Sequence, residues 1–167
     1  GNMPAVLETS RVLRHASLQG GYRVLALEAP RMAPQVRPGQ FVHVRVPGGE
    51  ALSLRRPFSV FKTEGPVLSI LYKTVGRGTG RLADIGPGTE VSVMGPLGNG
   101  FPDVSSDACP VLIAGGYGMA ALYMAAAAAP MPGQAFFGGA SADDILCVAE
   151  FEALGWTVHA ATEDGTL

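Results

Sequence analysis

The stretch that most narrows the possible folds lies in the second half of the chain. Val111-Leu112-Ile113-Ala114 is an unbroken apolar run that ends in Gly115-Gly116-Tyr117-Gly118 and continues into an alanine-rich segment from Met119 to Ala129. An apolar run of that length without alternation reads as a strand buried on both faces. A glycine turn passing straight into a helix is how a parallel α/β unit begins. Pro130 and Pro132 end that helix, because proline lacks the amide hydrogen a helix interior requires. Gln134 to Phe137 then reads as a second strand, Ala142 to Leu154 as a second helix, and Trp156 to Ala161 as a third strand. Ser141 suits the N-cap of the second helix, Asp143 and Asp144 favour its first turn, and Gly155 suits the position just past its end. The order β-α-β-α-β implies a parallel sheet.

The first half has a different texture. Short β-like runs occupy Tyr22 to Ala29, Phe41 to Val46, Phe58 to Lys62, Val67 to Val75 and Glu90 to Met94. In Phe41-Val42-His43-Val44-Arg45-Val46 the valines fall on one face and His43 and Arg45 on the other. Turn signals at Arg37-Pro38-Gly39, Pro47-Gly48-Gly49 and Gly86-Pro87-Gly88 separate the runs. Many short strands at this spacing indicate a closed antiparallel barrel or a sandwich. The division expected is a β-barrel over residues 4–104 followed by an α/β domain over 108–167. In the usual strand order of a doubly wound sheet, three strands leave the first with an open edge. The expectation is therefore that the native chain continues past Leu167.

Composition excludes several classes. The 167 residues are 47% hydrophobic and 16% charged, which suits a packed core rather than a disordered chain. The net charge of −2, without a basic block, gives no electrostatic footprint for nucleic acid. The alanine-rich run is too short to span a bilayer, and the start shows no secretory signal, so a cytoplasmic protein is expected. Gly1-Asn2 ahead of Met3 reads as the remnant of an added tag. The two cysteines, Cys109 and Cys147, are far apart and cannot alone build a zinc or iron–sulfur site. No metal ligand set is expected in this chain.

Chemistry concentrates in four segments. In Arg55-Arg56-Pro57-Phe58-Ser59-Val60 a guanidinium that can pair bidentately with phosphate stands next to a rigid proline, an aromatic ring and a hydroxyl. Tyr72-Lys73-Thr74-Val75-Gly76-Arg77-Gly78-Thr79 ends a strand in a glycine-rich turn, where Thr79 suits the cap of a short helix reaching about Ile85 and free amides make an anion site. Met94-Gly95-Pro96-Leu97-Gly98-Asn99-Gly100-Phe101 is a rigid loop between the halves. Gly116-Tyr117-Gly118-Met119-Ala120-Ala121 fits G-x-G-x-x-A after a strand and before a helix. The acidic residue expected at the end of the following strand is absent, since Phe137 runs into Gly138-Gly139 and Asp143 lies well into the next helix. Each segment taken singly also fits an ordinary strand start, capped turn or linker.

Taken in order, these segments resemble the ferredoxin-reductase family, and within it the electron-transfer subunits of NAD-linked dihydroorotate dehydrogenases, with sulfide dehydrogenase and hydrogenase flavin subunits as near relatives. Arg56-Pro57-Phe58-Ser59 is similar to the family's Arg-x-aromatic-Ser flavin motif. Gly76-Arg77-Gly78-Thr79 with Leu82 is similar to its pyrophosphate segment, and Gly95 to Phe101 to a segment typical of the dihydroorotate subunits. Ala114 to Gly118 with Leu122 is similar to its nicotinamide turn, and Ala161-Thr162-Glu163-Asp164-Gly165 to a later nucleotide-side turn. The chain departs from the pattern at Phe58 (often Tyr), Ala114 (Gly), Tyr117 (aliphatic) and Ala121 (Pro). The resemblance implies an FAD-binding barrel of Greek-key type followed by part of an NAD(P)-binding domain. It implies FAD held by Arg56, Pro57, Phe58, Ser59, Tyr72, Lys73, Gly78 and Thr79, with Ser59 near the reacting nitrogen as the catalytic candidate. It implies NAD(H) held by Gly115, Gly116 and Gly118. A [2Fe-2S] cluster is expected only if the chain continues, and a catalytic dehydrogenase subunit is the expected partner. A flavin-dependent NAD(P)H reductase subunit of a sulfide dehydrogenase or hydrogenase, a free-standing flavin reductase and a flavin-free scaffold subunit remain as alternatives on the sequence.

Overall fold

The computed structural model describes residues 4–45 and 55–167. Gly1 to Met3, Val46 at the end of the expected strand, and the Pro47-Gly48-Gly49 turn lie outside the described residues. The first half is built from β1 (Val6–Ser17), β2 (Tyr22–Glu28), β3 (Phe41–Arg45), β4 (Arg55–Glu64), β5 (Val67–Lys73), α1 (Gly76–Ala83) and β6 (Glu90–Leu97). Its strands close into an antiparallel barrel in the order β1-β2-β5-β4-β3-β6. Closure leaves no strand edge unpaired. The core inside comes from alternate residues of the ladders: Leu25 and Leu27 on β2, Val42 and Val44 on β3, Leu68 and Ile70 on β5, Val91 and Val93 on β6.

β1 had no counterpart among the expected strands. Its inward side chains are Glu8, Ser10 and Val12, while Leu7 points out at 61% exposure. The usual apolar–polar alternation is thus inverted over its first half. Glu8 is tolerated inside because its carboxylate accepts the backbone N–H groups of Arg31 and Met32, each at 3.0 Å.

The second half contains β7 (Val111–Gly115), α2 (Gly118–Ala128), β8 (Gln134–Gly139), α3 (Val148–Ala153) and β9 (Thr157–Thr162). The strands pair in parallel in the order β7-β8-β9, as the β-α-β-α-β reading requires. Two expectations are corrected. β7 is not buried on both faces: Leu112 and Ala114 pack against the core, but Val111 is 56% and Ile113 77% exposed. Both helices lie on one side of the sheet, so the other face, with Phe136 stacked on His159, is open among the described residues. The helix read over Ala142 to Leu154 is broken. A single 3-10 turn, Ala142–Asp144, is followed by Cys147 in the left-handed region at φ 63°, and regular helix resumes only at Val148. Ile145 and Leu146, at the break, turn into the core beneath the sheet. Ser141 caps the 3-10 turn in a capping box with Asp144, and Gly155 adopts φ +90° past α3.

The halves share an apolar seam. Tyr22, Phe61 and Leu71 of the barrel pack into the same cluster as Met119, Phe137 and Phe151. Tyr123 bridges it, with its ring edge-on to Phe61 at 5.1 Å and to Phe151 at 5.9 Å. No helix among the described residues is long and apolar enough to cross a membrane.

Candidate functional site

The seam positions two cavities next to each other. The first, about 220 Å³, lies at the barrel wall where β4 and β5 run towards α1, and its lining includes Pro57, Phe58, Ser59, Tyr72, Lys73 and Thr79. These residues come from segments separated by more than ten positions, and the β4–β5 ladder is what brings them together. Phe58 faces inward, only 9% exposed, with its ring edge-on to Tyr72 at 5.8 Å. Pro57 and Ser59 are exposed on either side of it.

Tyr72 is held from behind. Its hydroxyl lies 2.7 Å from His15 Nε2, and His15 Nδ1 lies 2.7 Å from the Ile85 carbonyl. A carbonyl only accepts, so Nδ1 carries the ring hydrogen and, in the neutral ring, Tyr72 donates to Nε2. Burial pushes the Tyr72 phenol up to about 12, with Arg23 opposing and Asp84 adding to the shift.

Arg56 does not line this cavity. It lies at the neighbouring position of β4, exposed and without a hydrogen-bond or ion-pair partner among the described residues. Arg55 beside it is committed, donating to the Ser92 carbonyl at 3.2 Å and the Ser92 hydroxyl at 2.8 Å. The pair therefore divides into one structural guanidinium and one free one. α1 begins at Gly76 with Val75 as N-cap, earlier than a helix capped by Thr79. Thr79 sits within the first turn and its hydroxyl reaches back to the backbone of Val75, accepting the Val75 N–H at 2.6 Å and donating to the Val75 carbonyl. Because the helix begins at Gly76, the Gly78 amide is among its first four, which have no intrahelical acceptor. The buried hydroxyl of Thr74, between the lining residues Lys73 and Val75, has no hydrogen-bond partner among the described residues.

The second cavity is an open cleft of about 550 Å³ at the carboxyl ends of the parallel strands, where ligands bind in open α/β sheets. Gly115 and Gly116 form one wall, and Gly139, Asp144, Thr162 and Glu163 others. Gly116 takes φ +56°, and a Cβ there would come within 3.3 Å of the Tyr22 hydroxyl. The positive φ favours glycine, and the Tyr22 hydroxyl would have to shift slightly for any side chain there. Gly118 opens α2 and faces Ala114 rather than the cleft. Tyr117, 61% exposed, lines the first cavity while its neighbour Gly116 lines the second, so the glycine turn is the partition between them.

Tyr22 and Asp144 escaped the sequence reading. The Tyr22 hydroxyl donates to Asp144 Oδ1 at 2.8 Å, and Lys73 Nζ lies 3.6 Å from the same oxygen. The Tyr22 hydrogen bond foremost, with Lys73 assisting, holds the Asp144 carboxyl below the usual range. Burial first, then Asp144, pushes the Tyr22 phenol up to about 12. The available signal was the Ser141-x-x-Asp144 spacing of a capping box, which marks Asp144 as fixed in place but not what it faces.

No family model matches the chain. It is 39% identical over 149 residues to the dihydroorotate dehydrogenase B (NAD(+)) electron transfer subunit of Shouchella clausii, covering 85% of this chain and 57% of that protein. It is 36% identical over 148 residues to the subunit of the same name from Desulforamulus reducens, covering 86% and 56%. The chain thus spans a little over half the length of the curated relatives it matches. Among solved structures, an NADH-dependent reduced ferredoxin-NADP oxidoreductase superposes with a TM-score of 0.81 at 25% identity, over 92% of this chain and 56% of that one. An Amycolatopsis cytochrome P450 reductase superposes with a TM-score of 0.79 at 26% identity, over 95% and 52%.

Proposed function

We propose that the chain is of the ferredoxin-reductase-like type, the flavin- and nicotinamide-binding part of an electron-transfer subunit that moves electrons between NAD(H) and FAD, serving a dihydroorotate dehydrogenase in pyrimidine biosynthesis. The observation that carries this reading is the convergence of Pro57, Phe58, Ser59, Tyr72, Lys73 and Thr79 on one cavity that shares a wall, the Gly116–Tyr117 turn, with the cleft of the parallel sheet. Two ligands seated in these cavities meet at that wall.

The residues present fit a flavin. The cavity offers the aromatic Phe58 and Tyr72 beside the Ser59 hydroxyl, and Arg56 stands close by as a free cation with the α1 amides as further donors. FAD, when bound, supplies acceptance of two electrons as hydride and their release one at a time. In this reading Arg56 pairs the pyrophosphate, with the amide of Gly78 and the first turn around Thr79 beside it. Phe58 packs on the ring, Ser59 hydrogen-bonds at its reacting edge, and Tyr72 and Lys73 close the strand side. Gly115, Gly116 and Gly118 make the turn for the NAD(H) phosphates, with Gly116 supplying the positive φ of the turn.

Cys109 and Cys147 are too few for an iron–sulfur ligand set, so the next electron acceptor is assigned outside this chain's own residues, with a [2Fe-2S] cluster as the class proposed for the whole protein. A catalytic dehydrogenase subunit as partner and a cytoplasmic site belong to the same proposal. So does the division into residues 4–104 and 108–167, which two sheets without a shared ladder support. Co-purification tests the assignment to a dehydrogenase: a stable complex with a dihydroorotate-oxidising subunit is expected. Reduction of free acceptors with no such complex formed would contradict it.

A further inference from the structure

Three polar side chains of the barrel reach across the seam to one short segment of the other half. Gln19 donates to the Ile145 carbonyl at 2.9 Å, and Tyr22 and Lys73 both meet the Asp144 carboxylate. Tyr22 and Lys73 are directly paired across the β2–β5 ladder, and the Lys73 ammonium lies 5.2 Å over the Tyr22 ring. The two therefore approach Asp144 from adjacent positions on the barrel wall. On the far side Asp144 is itself fixed. Its second oxygen accepts the Ser141 N–H at 3.4 Å, and Gly139 packs so closely that a Cβ there would fall 2.7 Å from the Asp144 Cβ. Lys73 lines the barrel cavity and Asp144 lines the cleft, so this contact spans the boundary between the two sites.

We propose that Asp144 is the positioning residue that sets how the two cavities face each other, holding the Tyr22–Lys73 pair so that a ring bound in the cleft meets a ring bound in the barrel. The inference rests on the flavin and nicotinamide reading above and deepens it. Three features of the geometry support a positioning role rather than simple adhesion. The apolar seam already joins the halves through Phe61, Leu71 and Tyr123, so a polar contact is not needed for cohesion. A buried phenol and an ammonium sharing one carboxylate oxygen define a direction as well as a distance. The contact also lies at the Gly116 turn, where a Cβ on Gly116 would stand 3.3 Å from the Tyr22 hydroxyl. Misplacement of reacting groups by about 1 Å costs on the order of 100-fold in rate.

The test uses the protein loaded with FAD and titrated anaerobically with NADH, comparing the parent with Tyr22→Phe, Asp144→Ala and Asp144→Asn. Three quantities are read: bound FAD per chain, the long-wavelength charge-transfer absorbance that reports nicotinamide–flavin ring contact, and the limiting rate of flavin reduction against the half-saturating NADH concentration. All variants are expected to retain FAD. Tyr22→Phe and Asp144→Ala are expected to lose the charge-transfer band and to slow the limiting rate about 10–100-fold, with half-saturation shifting by less than about threefold. Asp144→Asn, which keeps the acceptor for Tyr22 and drops the charge facing Lys73, is expected to fall between them and the parent. It also serves if the alanine variant does not fold. A parental band and rate in both Tyr22→Phe and Asp144→Asn overturn this inference alone. A parent that takes up no FAD overturns it together with the flavin reading.

Discussion

At the scale of single residues, the site is organised by which polar groups are already committed and which are not. Arg55 is tied to Ser92, and Arg56 has no partner among the described residues. Arg56→Ala is therefore expected to leave the fold intact and weaken FAD binding by about 1.5–3 kcal/mol, the range for a charge-assisted hydrogen bond. Flavin titration alongside a thermal melt checks this, and equal retention of FAD in the variant counts against the assignment. Ionisation gives a second expectation. The phenols of Tyr22 and Tyr72 are raised from 10.0 to about 12. Their contribution to stability is complete below their ordinary value and is lost as the pH rises towards the folded-state one. A spectrophotometric phenolate titration is expected to show two tyrosines ionising late. Asp144 has the opposite sign. Its folded pKa is depressed, so its contribution is complete above the usual carboxylate range and is lost as the pH falls through the folded value. Acid titration of Asp144→Asn against the parent reads that difference, with the variant expected to be the less sensitive of the two at the acid end.

At the scale of elements, residues that run against their apparent pattern explain most of what the sequence did not reveal. β1 was invisible because its inward positions carry Glu8 and Ser10. The loop at Arg31 and Met32, which supplies two amide donors, makes the burial of Glu8 possible. Glu8→Ala should cost about 2–4 kcal/mol, since it strands both donors away from water, and urea unfolding measures it. β7 was read as doubly buried because Val111 and Ile113 are apolar. Burial on the second face depends on what covers the sheet, which no local pattern records. The helix break at Cys147 was hidden in the same way, because apolar Ile145-Leu146 suits a helix and a core-directed turn equally well. The elements that were legible are those whose local signals agree. Pro130 and Pro132 stop α2, Gly155 stops α3, and Val42 and Val44 alternate on β3. Phe151 shows what α3 contributes. It is fully buried and edge-on to Tyr123, Phe137 and Trp156. Phe151→Ala is expected to cost about 3–5 kcal/mol in equilibrium unfolding, and a loss below about 1 kcal/mol would mean that α3 does not hold the sheet to the seam.

At the scale of the whole molecule, the barrel and the parallel sheet are joined by one apolar seam with a polar clasp at its end, and both cavities open beside that clasp. The segments that line the barrel cavity were legible because each pairs a rigid or glycine-rich turn with a group suited to a phosphate or a ring. The polar clasp beside the partition was not. It depends on Tyr22 and Asp144, residues 122 positions apart in the chain, whose meeting is a property of docking rather than of either local sequence. The central claim is that the barrel holds a flavin that exchanges electrons with a nicotinamide in the neighbouring cleft. Its most direct test is the absorbance spectrum of the purified protein after incubation with FAD, recorded before and after anaerobic addition of NADH. The account predicts flavin bands that remain after removal of free FAD and bleach when NADH is added. A protein that stays colourless after FAD loading would contradict it.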